Sequence, residues 1–263
     1  MTPPAASAAR VKEARKLSRR SVRSERRLFL AEGWKAVSEA AGVPGCLVEV
    51  FATAEAAAQH ADLLGRLEVA TALVDERTAQ ALSGSVTPPG LIAVCRFVDR
   101  PIEAVLRGPL VVICADVRDP GNAGAIVRTA DAVAADAVIL AGNSVDPYND
   151  KAVRASAGSL FHVPLTTGID PLDAILTVRA AGYRVLAADG AGTVELFESD
   201  DLLAGPVAWV FGNEAWGLPA DIADAADHRV SIPIFGRAES LNLATAAAVC
   251  LYASARVRGT VEA

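Results

Sequence analysis

LVVICADVRDPGNAGAIVRTADAVAADAVILA, residues 110–141, decides the fold of this chain. Leu110 to Val117 is an apolar run of strand length, and Asp119-Pro120-Gly121-Asn122-Ala123-Gly124 is turn chemistry. Ala123 to Ala135 repeats apolar residues at helical spacing, and Asp136 to Ala141 is a second apolar strand. A strand, a helix and a strand in about thirty residues predict parallel pairing, because such a pair needs a crossover helix. Apolar throughout rather than alternating, the strands read as buried on both faces.

Downstream the pattern repeats. Helices are predicted over Asp150–Leu160, Pro171–Ala181, Pro219–Ala226 and Leu241–Val257, with strands near Val163 and at Tyr183–Ala188, Val207–Phe211 and Val230–Ile234. This is an α/β domain with a parallel sheet. Upstream, residues 1–9 read as disordered and Arg10–Arg27 as a basic helix. A strand or turn entry at 28–33 and strands at Val43–Phe51, Val69–Val74 and Leu91–Phe97 then alternate with helices at Trp34–Ala41, after Thr53 and at Asp75–Ser83. That predicts a small α/β domain over 1–97, a charged, Pro-containing linker over 98–108 and a larger domain over 109–263.

The chain has 263 residues, 52% hydrophobic and 21% charged, which excludes intrinsic disorder. The longest apolar stretch, Leu241 to Ala255, is broken by Asn242, Thr245 and Ser254 and falls short of the ~18 residues of a membrane span. No secretory signal is legible at the N-terminus. Four dispersed cysteines (Cys46, Cys95, Cys114, Cys250) read as buried free thiols in a reducing compartment, and three dispersed histidines offer no metal spacing. A cytoplasmic protein without a membrane partner is expected. Net charge is −6, yet residues 1–35 carry ten basic and three acidic side chains. Arg15, Lys16, Arg19, Arg20, Arg23 and Arg26 form a basic tip on an acidic body, as phosphate-gripping proteins do. A solvated basic helix explains the same pattern.

In a parallel sheet ligands gather beyond the carboxyl ends of the strands. Four loops qualify: the one holding Asn122, with Arg128 further into its helix; Asp189-Gly190-Ala191-Gly192; 211–218, with Gly212 and Glu214; and 232–242, with Ile232, Ser240, Leu241 and Asn242. Glycines let backbone approach a flat ligand closely. Taken singly, Asn122, Ser240 and Asn242 are helix caps, Glu214 is a solvated acid, and Arg128 makes an ion pair or a phosphate contact. Glu195 stands where a dinucleotide fingerprint starting at Gly190 needs its third glycine, which disfavours a dehydrogenase. No phosphate-binding P-loop and no Gly-x-Ser-x-Gly elbow occur.

Together the loops carry a resemblance. Asp119-Pro120-x-Asn122-x-Gly124-Ala125-Ile126-x-Arg128-Thr129-Ala130, Phe211-Gly212-Asn213-Glu214-x-x-Gly217-Leu218 and Ile232-Pro233-Ile234-x-Gly236-x-x-x-Ser240-Leu241-Asn242 resemble, in order and separation, the three motifs of the SpoU-type RNA ribose methyltransferases of the SPOUT superfamily. Arg154-Ala155-Ser156-Ala157-Gly158 matches a stretch between them. Phe29-Leu30-Ala31-Glu32-Gly33 and Pro88-Pro89-Gly90-Leu91 resemble the small ribosomal-protein-like RNA-binding domain that precedes the catalytic domain in rRNA-directed members. Trp216 is a departure, standing where relatives often carry a smaller residue.

The resemblance implies a trefoil knot, a homodimer through the C-terminal domain, S-adenosyl-L-methionine as methyl donor and a ribose 2′-hydroxyl of structured RNA as acceptor, 23S rRNA foremost. It places Gly212, Ile232 and Leu241 around the cofactor, and Gly190, in the glycine loop that follows its own strand, is taken as a further cofactor-side residue. Arg128 is cast as the group that activates the hydroxyl, with Asn122, Glu214, Ser240 and Asn242 around it. Alternatives are a tRNA ribose methyltransferase and a non-catalytic RNA-binding or ribosome-assembly factor of the same fold.

Overall fold

A computed structural model describes residues 3–85 and 87–261, the last two without their side chains. It resolves into two compact units, 1–98 with 148–161, and 99–147 with 162–263.

The first unit is built on a four-stranded sheet, β1 (Leu28–Glu32), β2 (Leu47–Ala52), β3 (Thr71–Leu73) and β4 (Leu91–Arg96), in the order β1-β4-β2-β3. β4 is antiparallel to both neighbours, and β2 runs parallel to β3. Side chains alternate along β1, which sends Leu28 and Leu30 to one core with Leu17, Phe51, Ile92 and Val94. Phe29, fully buried, faces the other way. There it meets Tyr148 (ring centroids 4.8 Å) and Phe161 (6.0 Å), while Tyr148 stacks on Phe97 at 3.7 Å. The stretch 148–161, expected within the 109–263 domain, thus supplies half of this aromatic layer. Its helix, Asp150–Ser156, ends earlier than expected because Ala157 (φ 51°) and Gly158 (φ 99°) turn left-handed.

The basic segment departs from a single helix. It forms Ala8–Arg15, a 3₁₀ turn at Lys16–Ser18 and Arg20–Arg26, broken where Arg19 is extended. Arg23 explains why the break holds. Only 4% exposed, it donates from Nη1 to the carbonyls of Leu17 (2.9 Å) and Ser18 (2.8 Å), which the break leaves without helical partners. Residues 4–9 are ordered, against the expectation: Ala5 bridges Leu73, and Ser7 caps the first helix. Met1 and Thr2 lie outside the described residues.

The second unit holds seven strands: β5 (Leu110–Ala115), β6 (Ala137–Ala141), β7 (Leu165–Thr167), β8 (Arg184–Ala188), β9 (Val194–Glu195), β10 (Val207–Phe211) and β11 (His228–Ser231). Their order is β7-β6-β5-β10-β8-β11-β9, and every pairing is parallel. β5, β6 and β10 are buried along their whole length, as their continuous apolar sequences require. Helices cover both faces. Trp209, fully buried on β10, donates from Nε1 to Ser254 Oγ at 2.9 Å and so ties the C-terminal helix Leu243–Val261 to the sheet. The stretch read as a linker is docked instead. Ile102 and Val105, on a helical turn, are buried in this unit's core, and Arg100 N donates to Leu165 O at 2.8 Å.

Candidate active site

A cavity of about 270 Å³ opens where the chain leaves β8, β10 and β11. Gly190, Gly212, Glu214, Ile232, Ser240 and Leu241 all line it, so the structure brings together the four cofactor-side candidates and two of the polar candidates. Phe211, Ile234, Leu243 and Ala246 add apolar wall, and Asp189, Glu214 and Glu239 add carboxylates. The floor demands glycine at 212: a Cβ there would fall inside contact distance of Gly217's backbone and 2.7 Å from Leu218 N. Gly217 (φ 69°) closes the turn, with Asn213 and Gly217 exchanging backbone hydrogen bonds at 2.9 Å each way. A Cβ on Gly190, by contrast, would meet nothing within 4 Å.

Beside the cavity three of the predicted polar residues form one chain of hydrogen bonds. Glu214 accepts from the backbone N–H of Arg118 (3.3 Å) and Asp119 (3.1 Å) and from Asn122 Nδ2 (3.1 Å). Asn122 Oδ1 in turn accepts from Asn242 Nδ2 at 3.0 Å. Asn242 then caps the C-terminal helix, accepting from Ala244 N (2.9 Å) and Thr245 N (3.3 Å). Glu214 is therefore no free solvated acid. Asn122 is not a cap either; Asp119 caps the helix Pro120–Ala132 and accepts from Asn122 N at 2.8 Å.

Arg128 stands apart. It is exposed, lies outside the cavity lining and has no hydrogen-bond or ion-pair partner among the described residues. Six positions beyond Asn122, it is about 9 Å further along the helix and about 120° around it. Sequence reasoning missed four contributors. Asp119 precedes Pro120 at a helix start, a readable cap signal. Asn213, buried, donates from Nδ2 to Asp116 O at 2.8 Å and pins the 211–218 turn to the end of β5. Asp189 and Glu239 reach the cavity from separate loops; Asp189 stands in a loop that the sequence singles out, though with no role for it, and no local pattern announces Glu239.

In the first unit Arg15, Arg19, Arg20 and Arg26 are exposed, and Lys16 is half-buried. Lys16 and Arg26 both pair with Glu13, at 2.6 and 2.7 Å, which holds that carboxyl below its ordinary range. Arg23 leaves the RNA-facing set, since its guanidinium is spent on backbone carbonyls inside the unit. Among the described residues no cluster of three or more metal-ligating side chains occurs, and no helix is long and apolar enough to cross a membrane.

Residues 109–252 match the profile of the SpoU rRNA Methylase family. The chain belongs to that family. Residues 8–93 match the MRM3-like substrate binding domain. The SpoU chain is 32% identical over 245 residues to the 23S rRNA (guanosine(2553)-2′-O)-methyltransferase RlmP of Bacillus subtilis, covering 92% of this chain and 94% of that protein. Among solved structures it resembles AviRb of Streptomyces viridochromogenes in complex with AdoMet (TM-score 0.87, 29% identity, 97% and 99% coverage). An AdoMet-bound rRNA methyltransferase from Sinorhizobium meliloti is similar too (TM-score 0.84, 32% identity, 96% of each chain). The resemblance drawn from the three loop motifs holds for the C-terminal half, that drawn from residues 29–33 and 88–91 holds for the N-terminal half, and S-adenosylmethionine is the cofactor of this family.

Proposed function

We propose that this protein methylates a ribose 2′-hydroxyl of 23S rRNA, as a cytoplasmic homodimer joined through its C-terminal unit. The observation that carries the reading is the cavity beyond β8, β10 and β11. Its glycine floor admits a flat adenosyl group, its apolar walls at Ile232 and Leu241 cover it, and its carboxylates suit a donor that bears a sulfonium and an ammonium. When bound, S-adenosylmethionine supplies an electrophilic methyl that needs no further activation.

The chain's own residues must then hold the acceptor. A ribose hydroxyl attacks poorly while protonated, so groups that orient it and stabilise developing alkoxide charge matter most. Glu214, Asn122 and Asn242, locked in one hydrogen-bonded chain, form a rigid wall for that purpose. Ser240 lines the same cavity and offers a hydroxyl to position the nucleotide. Arg128 acts through its guanidinium, steering the target nucleotide and stabilising oxyanion character. The exposed Arg15, Arg19, Arg20 and Arg26 suit the RNA backbone. The homodimer is supported by apolar side chains left in solvent on the second unit, Tyr252 and Phe235 above all.

The test is methyl transfer from labelled S-adenosylmethionine to 23S rRNA and to total tRNA, with digestion and mass mapping of the product. Label on a ribose of 23S rRNA is expected; label on a nucleobase, or on tRNA alone, overturns the reading. Arg128→Lys should lower kcat about 100-fold while cofactor affinity, measured by calorimetry, stays unchanged. Near-normal turnover would remove the guanidinium from the mechanism.

A further inference from the structure

At the mouth of the same site stands a pair that the reaction as described does not use. The guanidinium of Arg118 lies over the indole of Trp216, 4.9 Å from the ring centroid. Both side chains are exposed, Trp216 by 53%. Each is held by its backbone. Arg118 N donates to Glu214, and Trp216 rides on the turn closed by Asn213 and Gly217.

A guanidinium over an aromatic face makes a cation–π contact that consumes none of its N–H donors. Among the described residues nothing accepts from the Arg118 side chain. The carboxylates nearby are already engaged: Asp119 Oδ1 accepts from Asn122 N, and Glu214 accepts from two loop amides and Asn122. The free edge is thus a planar donor fork, presented beside the polar wall that would hold the acceptor ribose. Such a fork matches the oxygens of a phosphate.

We propose that Arg118 binds a backbone phosphate flanking the target ribose, and that Trp216 is the positioning residue that holds the guanidinium in place for it. This rests on the rRNA ribose methylation reading. It also gives a role to the large aromatic at position 216, which the motif itself does not require. A lysine in place of Arg118 would keep the charge but lose the forked geometry.

The test uses the full chain in steady-state methyl transfer to 23S rRNA, together with RNA binding over a salt series. Arg118→Gln should raise KM for RNA about tenfold with kcat and cofactor affinity little changed, a loss typical of one charge-assisted contact. It should also flatten the dependence of log affinity on log salt by about 0.7–0.9, the share of one phosphate contact. Trp216→Ala should reproduce part of the KM effect and Trp216→Phe should restore it, because phenyl also accepts a cation on its face. An unchanged KM and salt slope in Arg118→Gln overturns the proposal. So does dissociation of the Trp216→Ala protein into a smaller species by sedimentation, which would make this face an interface between copies. Wild-type protein that fails to methylate rRNA refutes the underlying function instead, and that control is read first.

Discussion

In the first unit Arg15, Arg19, Arg20 and Arg26 stand in solvent, whereas in the second Asp189, Glu214 and Glu239 edge the cavity. One chain of net charge −6 therefore carries two opposed local fields. A basic helical segment attracts a polyanion over a distance of about one Debye length, and a carboxylate-lined cavity favours a small cationic donor at contact range. Net charge describes neither. The two units also differ in what backbone partners do to a charge: buried Arg23 gives its guanidinium to the Leu17 and Ser18 carbonyls and joins the scaffold, whereas Glu214 accepts from two loop amides yet stays exposed at the cavity.

The strongest way to break this division of labour is to attack the layer that completes the first unit. Phe29→Ala removes a fully buried ring that touches Tyr148 and Phe161. It should cost about 3–5 kcal/mol, read as a lower midpoint in urea unfolding. Deleting residues 1–97 is a less clean experiment for the same reason. It strips the cover from Tyr148 and Phe161, and the remaining chain should aggregate rather than behave as a trimmed enzyme. A truncated protein that stays soluble and binds cofactor normally would show that 148–161 does not depend on the first unit.

That dependence was not legible from the residues, because the packing partner of a segment over a hundred positions away leaves no local pattern. What was legible has a common cause. β5, β6 and β10 are buried on both faces and so read as unbroken apolar runs, and Trp34–Ala41 was legible because Ala36, Val37 and Ala40 share one buried face. The two-residue β9 and three-residue β7 carry too little pattern to fix their bounds. The strand expected at Val230–Ile234 starts and ends earlier, at His228–Ser231, since Pro233 cannot donate to a ladder. In the site, Gly190, Gly212, Ile232, Ser240 and Leu241 were findable because they follow strands. Arg23 was misread because a run of cations reads as a solvated face, and nothing in the run marks the one that turns inward.

Arg23 sharpens the comparison directly. Arg23→Gln leaves the Leu17 and Ser18 carbonyls short of a charged donor in a buried position, at a cost of about 1.5–3 kcal/mol. Arg20→Gln, on the exposed side of the same segment, should leave stability within about 0.5 kcal/mol and weaken RNA binding in a salt-dependent way. Thermal unfolding of the two variants, paired with RNA titrations at two salt concentrations, separates scaffold from contact. Equal stability loss in both would put Arg20 into the scaffold as well.

The thiols extend the contrast with the smallest effect. In the first unit Cys46 and Cys95 face each other: a hydrogen bond from Cys95 lowers Cys46, and Cys95 itself is raised by that partner and by burial. In the second unit Cys114 lies at the end of β5 with no thiol partner, and burial, helped by the Glu214 charge, lifts it from 9.0 to about 12. A raised thiol is protonated in the folded chain while its unfolded counterpart ionises, so the unfolded state binds fewer protons above pH 9. The stabilisation is complete below that pH and is lost as pH climbs toward 12. At pH 10 the loss from one such group is about 1.4 kcal/mol, and it is nil at pH 7. Cys250, raised in the same direction by burial, adds to the decline. Urea unfolding at pH 7, 9 and 10 should therefore fall more steeply for the wild-type protein than for Cys114→Ala, whatever constant cost the lost sulfur adds at every pH. Parallel pH profiles for the two proteins would mean that water reaches the end of β5 and that Cys114 ionises as readily folded as unfolded.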